Sequence, residues 1–225
     1  MALARLAFSG SDFEFAKSIV EPLPGGDASF RMSVLEAFAS VSRADFVSSD
    51  FLTICYHDIP IPIGAGKRTS KPSAVATMLL AAGPVAGQRV LEVGSGCGYV
   101  LAILSRLGAV VTGVEKVPSL AKAAKGRMRR LGFEDVTVLC GDGLAEPADG
   151  FFDLILVSGA VGDIPETLLD RLHPGGRLLL PLAVDGRSLI VEFPQRLMRV
   201  ELPEAGSTTE SEVADCGASC FAALE

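Results

Sequence analysis

Glu92-Val93-Gly94-Ser95-Gly96-Cys97-Gly98 is the stretch of this 225-residue sequence with the clearest capacity for binding chemistry. Glycines at alternate positions let a ligand approach the backbone closely. An acid, Glu92, stands two residues before the first of them. A second acid, Glu115, follows about twenty residues later, the separation at which an acidic side chain meets ribose hydroxyls. The alternative for Glu115 is an exposed charge at a strand end. A third acid, Asp142, lies between Gly141 and Gly143, where it can approach an adenine amino group or close a β-turn. The spacing is G-x-G-x-G, not the G-x-G-x-x-G that cradles a pyrophosphate.

These residues need a scaffold, and the flanking pattern supplies one. Val90, Leu91 and Val93 form a short apolar run without alternation, which predicts a strand buried on both faces. Val100, Leu101, Ile103, Leu104 and Leu107 then follow a helical period. A strand, a glycine turn and a helix make the first half of a nucleotide-binding βαβ unit, whose helix N-terminus would offer free N–H groups to an anion. Val110 to Glu115 predicts a second strand, Ser119 to Leu131 a helix stopped by Gly132, and Val136 to Cys140 a third strand. Phe152 to Val157 is the fourth, left by Ser158-Gly159-Ala160. Ile164 to Leu172 reads as a short helix, and His173-Pro174-Gly175-Gly176 as a turn into a fifth strand, Arg177 to Leu182. Asp185-Gly186 is a hairpin signal, so Ser188 to Phe193 should run back antiparallel. Glu201 to Asp215 reads as loop, and Ser219 to Leu224 as an edge strand.

Upstream, Phe13, Phe15, Ile19 and Val20 suggest a short helix ended by Pro22 to Gly26. A helix over Ser29 to Val41 would bury Met32, Leu35, Phe38 and Ala39. Pro72 opens another, with Ala74, Val75, Met78 and Leu79 inward and Gly83-Pro84 as its stop. The expected fold is a doubly wound, mostly parallel α/β sheet with helices on both faces and an antiparallel C-terminal hairpin. Residues 1–72 form an N-terminal helical extension and covering loop, 73–200 the binding core, and 201–225 a C-terminal loop with a possible edge strand.

Composition narrows the function classes. Apolar residues make up 49% of the chain, as a sheet covered on both faces requires. No apolar run approaches the roughly 18 residues of a membrane span. The apolar start, Met1 to Phe8, is too short for a signal peptide, so a cytoplasmic location and no membrane partner are expected. Net charge is −7, and the basic residues Lys122, Lys125, Arg127, Arg129 and Arg130 read as a solvated helix face, so no nucleic-acid partner is expected. The chain has five cysteines, and Cys55, Cys97 and Cys140 are expected as small buried hydrophobes in a reducing compartment. Cys216 and Cys220 lack further ligands, the only histidines are His57 and His173, and no metal is expected.

Tyr56-His57-Asp58-Ile59-Pro60-Ile61-Pro62-Ile63-Gly64 and Gly66-Lys67-Arg68-Thr69-Ser70-Lys71-Pro72 are too rich in Pro and Gly for a regular central element. On these segments, on Leu91 to Tyr99, on Gly141-Asp142-Gly143 and on Leu172 to Leu178, residues 30–182 resemble the protein-L-isoaspartate (D-aspartate) O-methyltransferases. The glycine stretch resembles motif I of class I S-adenosylmethionine (SAM) methyltransferases. Tyr56-x-Asp58 with Pro62-Ile63-Gly64 is similar to the family's Y-x-D-x-x-x-P-I-G, and Gly66 to Pro72 to its G-Q-T-I-S-Q-P. Arg68, Thr69 and Lys71 depart from that loop, Ser158-Gly159-Ala160 replaces an Ala-Pro-rich turn, and the closing V-R-F-V-P-L survives only as Ser219 to Leu224.

The resemblance implies a Rossmann-like methyltransferase sheet with SAM as cofactor and isoaspartyl proteins or peptides as partners. It implies cofactor contacts at Thr69, Ser70, Glu92, Gly94, Ser95 and Gly96, and also at Gly98, Glu115, Lys116, Asp142, Gly143 and Ser158. Ser70 would hold the substrate carboxylate; its own sequence context also allows a plain loop serine or a helix N-cap. The methyl ester would collapse to a succinimide whose hydrolysis returns part of the chain to normal aspartate. Three other readings compete. A nicotinamide-dependent reductase would need Y-x-x-x-K, and neither Tyr56 nor Tyr99 has Lys four residues on. A methyltransferase dedicated to one partner is suggested by Lys67, Arg68 and Lys71 and by the altered C-terminal motif. A binding module without catalysis is opposed by the intact Ser70 and glycine motif.

Overall fold

The computed structural model describes residues 10–146, 148–183, 195–206 and 212–219. Two helices open it, α1 (Gly10–Val20) and α2 (Ala28–Ser40). Asp27 caps α2 by accepting from the N–H groups of Ser29 and Phe30. The chain then makes two short 3-10 turns, Arg43–Phe46 and Ser49–Phe51. A small hairpin follows, β1 (Pro62–Gly64) against β2 (Lys67–Arg68). Next come α3 (Pro72–Ala82), β3 (Arg89–Val93), α4 (Tyr99–Arg106), β4 (Val110–Glu115), α5 (Pro118–Leu131) and β5 (Val136–Cys140). β6 (Phe152–Val157), the four-residue α6 (Glu166–Leu169), β7 (Leu172–Ala183), β8 (Gln195–Glu201) and β9 (Glu212–Ser219) complete it.

Seven strands form one sheet in the order β5-β4-β3-β6-β7-β8-β9. The first five are parallel, and β8 and β9 add in antiparallel sense. This is the doubly wound sheet with antiparallel C-terminal strands that the sequence predicts. β3 lies where the winding reverses, with β4 on one side and β6 on the other. Such a switch point opens a crevice at the C-terminal strand ends. Side chains alternate between two cores. Val90, Leu154, Leu156 and Leu179 face a core shared with α1 to α5. Leu91, Val93, Ile155, Val157, Leu178 and Leu180 face a second core closed by α6 and the adjoining turns.

Several expectations change. Met32 is 54% exposed, and α2 buries Phe30, Val34 and Ala37 instead, because α1 and α3 meet that face. Cys140 is exposed rather than buried, since β5 is an edge strand that keeps only Val138 inside. The helix expected over Ile164 to Leu172 shrinks to α6. His173-Pro174-Gly175-Gly176 is no turn before the strand: β7 begins at Leu172 and carries these residues as an irregularity, where its register with β6 shifts. The supposed loop from Glu201 to Asp215 contains the start of β9. The return strand β8 lies at Gln195–Glu201; the expected span, Ser188 to Phe193, and Leu224 lie outside the described residues.

Candidate functional site

β3 ends at Val93 and the chain turns through Gly94 to Gly98 into α4. Gly96 has φ +52, and a Cβ there would stand 3.1 Å from Ile63 Cδ1, so the hairpin β1–β2 closes directly over this turn. The turn's amides are largely used within the protein. Gly94 and Ser95 donate to Val114 O, Gly98 to Ser95 O, and Gly96 to the Glu115 carboxylate. Those four turn amides are therefore spent within the protein.

What faces the cleft is of the opposite polarity. Glu92 is 1% exposed, and Ser158 Oγ donates to its Oε1 at 2.5 Å. Its Oε2 is buried with no partner among the described residues, as is Ser95 Oγ. Burial pushes the Glu92 carboxyl up to about 8; the Ser158 hydrogen bond opposes this and the nearby Glu115 adds to it. Ile63, Arg68, Thr69, Ser70, Glu92, Ser95 and Ser158 line one cleft with Gly94, Gly96 and Cys97. A buried acid with an unpartnered oxygen suits a ligand bearing an ammonium or sulfonium, whose positive charge favours the ionised carboxylate.

Glu115 adjoins this cleft from the end of β4. Its Oε2 accepts from Gly96 N–H and its Oε1 from Val117 N–H, both at 2.8 Å, and the residue is 6% exposed. It is no loose strand-end charge: it ties the glycine turn to the start of α5. Each oxygen keeps a second lone pair for a hydroxyl. Asp142 follows β5. It pairs with Lys116 Nζ at 3.1 Å, and its Oδ1 accepts from the N–H groups of Leu144 and Ala145. The hydrogen bond from Lys116 and those turn amides hold its carboxyl below its ordinary value, although burial pushes it up. Gly143 packs against strand ends, where a Cβ would come within 2.9 Å of Val93 Cγ1. Gly98, Glu115, Lys116, Asp142 and Gly143 do not line the cleft itself.

The covering loop is held by a residue that spacing does not reveal. Arg43, in the turn after α2, is 1% exposed. It donates to the carbonyls of Cys55, His57 and Ile59 and to Thr69 Oγ1, at 2.8 to 3.0 Å. Among the described residues no carboxylate forms an ion pair with it, and burial lowers its pKa from the ordinary value. Thr69 Oγ1 also accepts from Ile61 N–H, and Thr69 N–H donates to Ile61 O. Thr69 thus latches the two sides of the loop while lining the cleft. Asp58 accepts from Ser73 N–H at 2.8 Å and Ser73 Oγ at 2.6 Å, capping α3 from outside the helix. The N-cap position itself is Lys71, without a side-chain bond, so Ser70 is not the cap. Among the described residues the Ser70 hydroxyl has no hydrogen-bond partner, and Ser70 lines the same cleft as Gly94 and Gly96.

Neither histidine lines the cleft: His57 is exposed, with Nδ1 near Ile54 O, and His173 packs on the Phe151 ring. Among the described residues no group of three or more His, Cys, Asp or Glu could hold a metal ion, and no helix is long and apolar enough to cross a membrane. The cleft offers hydrogen-bonding groups and a buried acid.

Comparison with known proteins bears on this arrangement. The sequence profile described as "Protein-L-isoaspartate(D-aspartate) O-methyltransferase (PCMT)" matches residues 19–213. A protein-L-isoaspartate O-methyltransferase from Myxococcus xanthus is 43% identical over 176 residues, 77% of this chain and 83% of that one. Its counterpart from Methylorubrum populi is 41% identical over 165 residues, 73% of this chain and 77% of the other. A solved structure of a protein-L-isoaspartate O-methyltransferase superposes with a TM-score of 0.77 at 26% identity, spanning 95% of this chain and 66% of that one.

Proposed function

The chain belongs to the protein-L-isoaspartate (D-aspartate) O-methyltransferase family, and from that premise we propose that it moves the SAM methyl group to an isoaspartyl carboxylate held by Ser70. The cleft suits SAM on its own evidence. The unpartnered Glu92 Oε2 and Ser95 Oγ can take the ammonium of its amino-acid end, and Glu115, beside Gly96, can take ribose hydroxyls. SAM supplies a sulfonium methyl: as a carboxylate oxygen bonds to that carbon the C–S bond breaks, the two charges cancel, and no proton moves.

The protein's own task is placement. The isoaspartyl carboxylate is ionised at pH 7 without help, because its ordinary pKa lies near that of Asp. No general base is required, in keeping with a cleft that contains no histidine. Ser70 Oγ donates one hydrogen bond to a carboxylate oxygen and leaves the other free to react. Ile63, packed over Gly96, keeps water from the reacting centre. Arg43 and Asp58 hold the loop that carries Ser70. The ester formed on the substrate can then close to a succinimide, the first step of repair. The observation that carries this reading is the Ser70 hydroxyl, unpaired among the described residues in the same cleft as the unmatched Glu92 oxygen.

Ser70→Ala tests it. Losing one charge-assisted positioning bond of about 1.5–3 kcal/mol predicts a fall of roughly 10- to 150-fold in kcat/KM on an isoaspartyl peptide. SAM affinity, measured by calorimetry, should stay within about twofold. Wild-type kinetics in a folded Ser70→Ala protein would remove Ser70 from the site.

A further inference from the structure

We propose that the mouth of this cleft selects isoaspartyl segments whose neighbouring residues are themselves acidic, through Arg68 and Lys71 on either side of Ser70. The inference rests on the methyltransferase reading and adds the class of substrate. Arg68 is exposed and lines the cleft beside Ser70. Its Nη1 donates to Pro60 O at 3.3 Å, which occupies one of its five N–H donors and leaves its charge unneutralised. Lys71 stands at the N-cap of α3 and directs no side-chain bond to the helix. Among the described residues neither cation has an ion-pair partner. The acids of the loop and the site are committed: Asp58 to the N–H and hydroxyl of Ser73, Glu115 to Gly96 and Val117, and Glu92 to Ser158.

The setting makes these two charges unusual. The chain carries a net charge of −7, so an acidic peptide would meet repulsion over most of its surface. In the loop form that Gly66 to Pro72 resembles, the positions of Lys67, Arg68 and Lys71 are neutral; here all three are cationic. A peptide advances about 3.3–3.6 Å per residue when extended. Residues one or two positions from an isoaspartate held at Ser70 therefore lie within a Debye length, about 8 Å in physiological salt, of the charges on the adjoining residues.

The test uses the full chain, saturated with SAM, and three isoaspartyl peptides differing only in two flanking residues: Glu, Gln or Lys. An exposed charge pair changes affinity by roughly 1.4- to 5-fold. Two such pairs predict a kcat/KM for the Glu peptide roughly 2- to 30-fold above the Gln peptide at low salt, carried by KM, with the Lys peptide lowest. The ratio should shrink towards one at about 0.5 M salt. It should also flatten in an Arg68→Gln/Lys71→Gln variant, and because each ratio is taken within one protein, general activity losses cancel. If that variant does not fold, Lys71→Gln alone must lower the ratio. Equal kcat/KM for the Glu and Gln peptides at low salt, or a preference unchanged in the neutralised variant, overturns the proposal and leaves the methyltransferase reading intact. Methylation of none of the three overturns that reading and this one with it.

Discussion

Replacing Glu92 by glutamine isolates the cost of the buried acid at the centre of the site. The folded chain holds the Glu92 carboxyl near pH 8, against 4.5 for an ordinary glutamate, chiefly because burial disfavours its charge. Between those values the unfolded chain is ionised while the folded chain keeps its proton. The contribution of Glu92 to stability is therefore fully present below about pH 4.5, falls as pH rises, and is lost above about pH 8. At roughly 1.4 kcal/mol for each pH step, the span from 4.5 to about 8 amounts to about 5 kcal/mol. Glutamine can still accept from Ser158 but cannot ionise. Urea denaturation of both proteins at several pH values reads the difference directly. The wild type should lose stability relative to Glu92→Gln by a few kcal/mol between pH 5 and 8, whatever the other titrating groups do to both. Parallel stability curves would refute the buried, proton-retaining Glu92. The same reasoning predicts that SAM binding near pH 7 releases a proton from wild-type protein and none from Glu92→Gln.

Other substitutions read the supporting contacts. Glu115→Gln keeps one acceptor for Gly96 or Val117 but sets an NH2 group against the other N–H. SAM should bind about 10- to 150-fold more weakly, for a charge-assisted bond of about 1.5–3 kcal/mol, and unchanged affinity by calorimetry would contradict its ribose role. Arg43→Met strands three carbonyls and the Thr69 hydroxyl that Arg43 now satisfies. Stability should fall by about 3 kcal/mol or more, with faster hydrogen exchange across residues 55–69, and a wild-type melting temperature would contradict the clamp.

The parallel strands were readable because burial on both faces leaves an apolar run without alternation, unbroken in Leu154 to Val157 and interrupted only by Glu92 in Val90 to Val93. The C-terminal strands were harder. β9 begins with Glu212, which pairs with Glu201, and part of β7 is His173 to Gly176, whose Pro and Gly signal a turn locally; the strand carries them as an irregularity between Leu172, opposite Phe152, and Arg177, opposite Leu154. Met32 and Cys140 were misplaced because helical period and apolarity do not say which face meets a neighbour or which strand ends a sheet. At the site, Glu92 and Glu115 stood out through their spacing from the glycines, and Ser70 through the resemblance of its loop. Arg43 had no spacing to expose it, since its partners are mostly backbone carbonyls between 12 and 16 residues away. The use of the glycine-turn amides by Val114 and Glu115 was likewise a tertiary fact.

Methyl transfer to a matched pair of peptides tests the account at its centre. With SAM carrying an isotopic methyl, the chain should form a base-labile methyl ester on a peptide containing one isoaspartate. The same sequence with normal aspartate should remain unmethylated. Methylation of neither peptide, or of both at equal rates, would contradict the function assigned to this cleft.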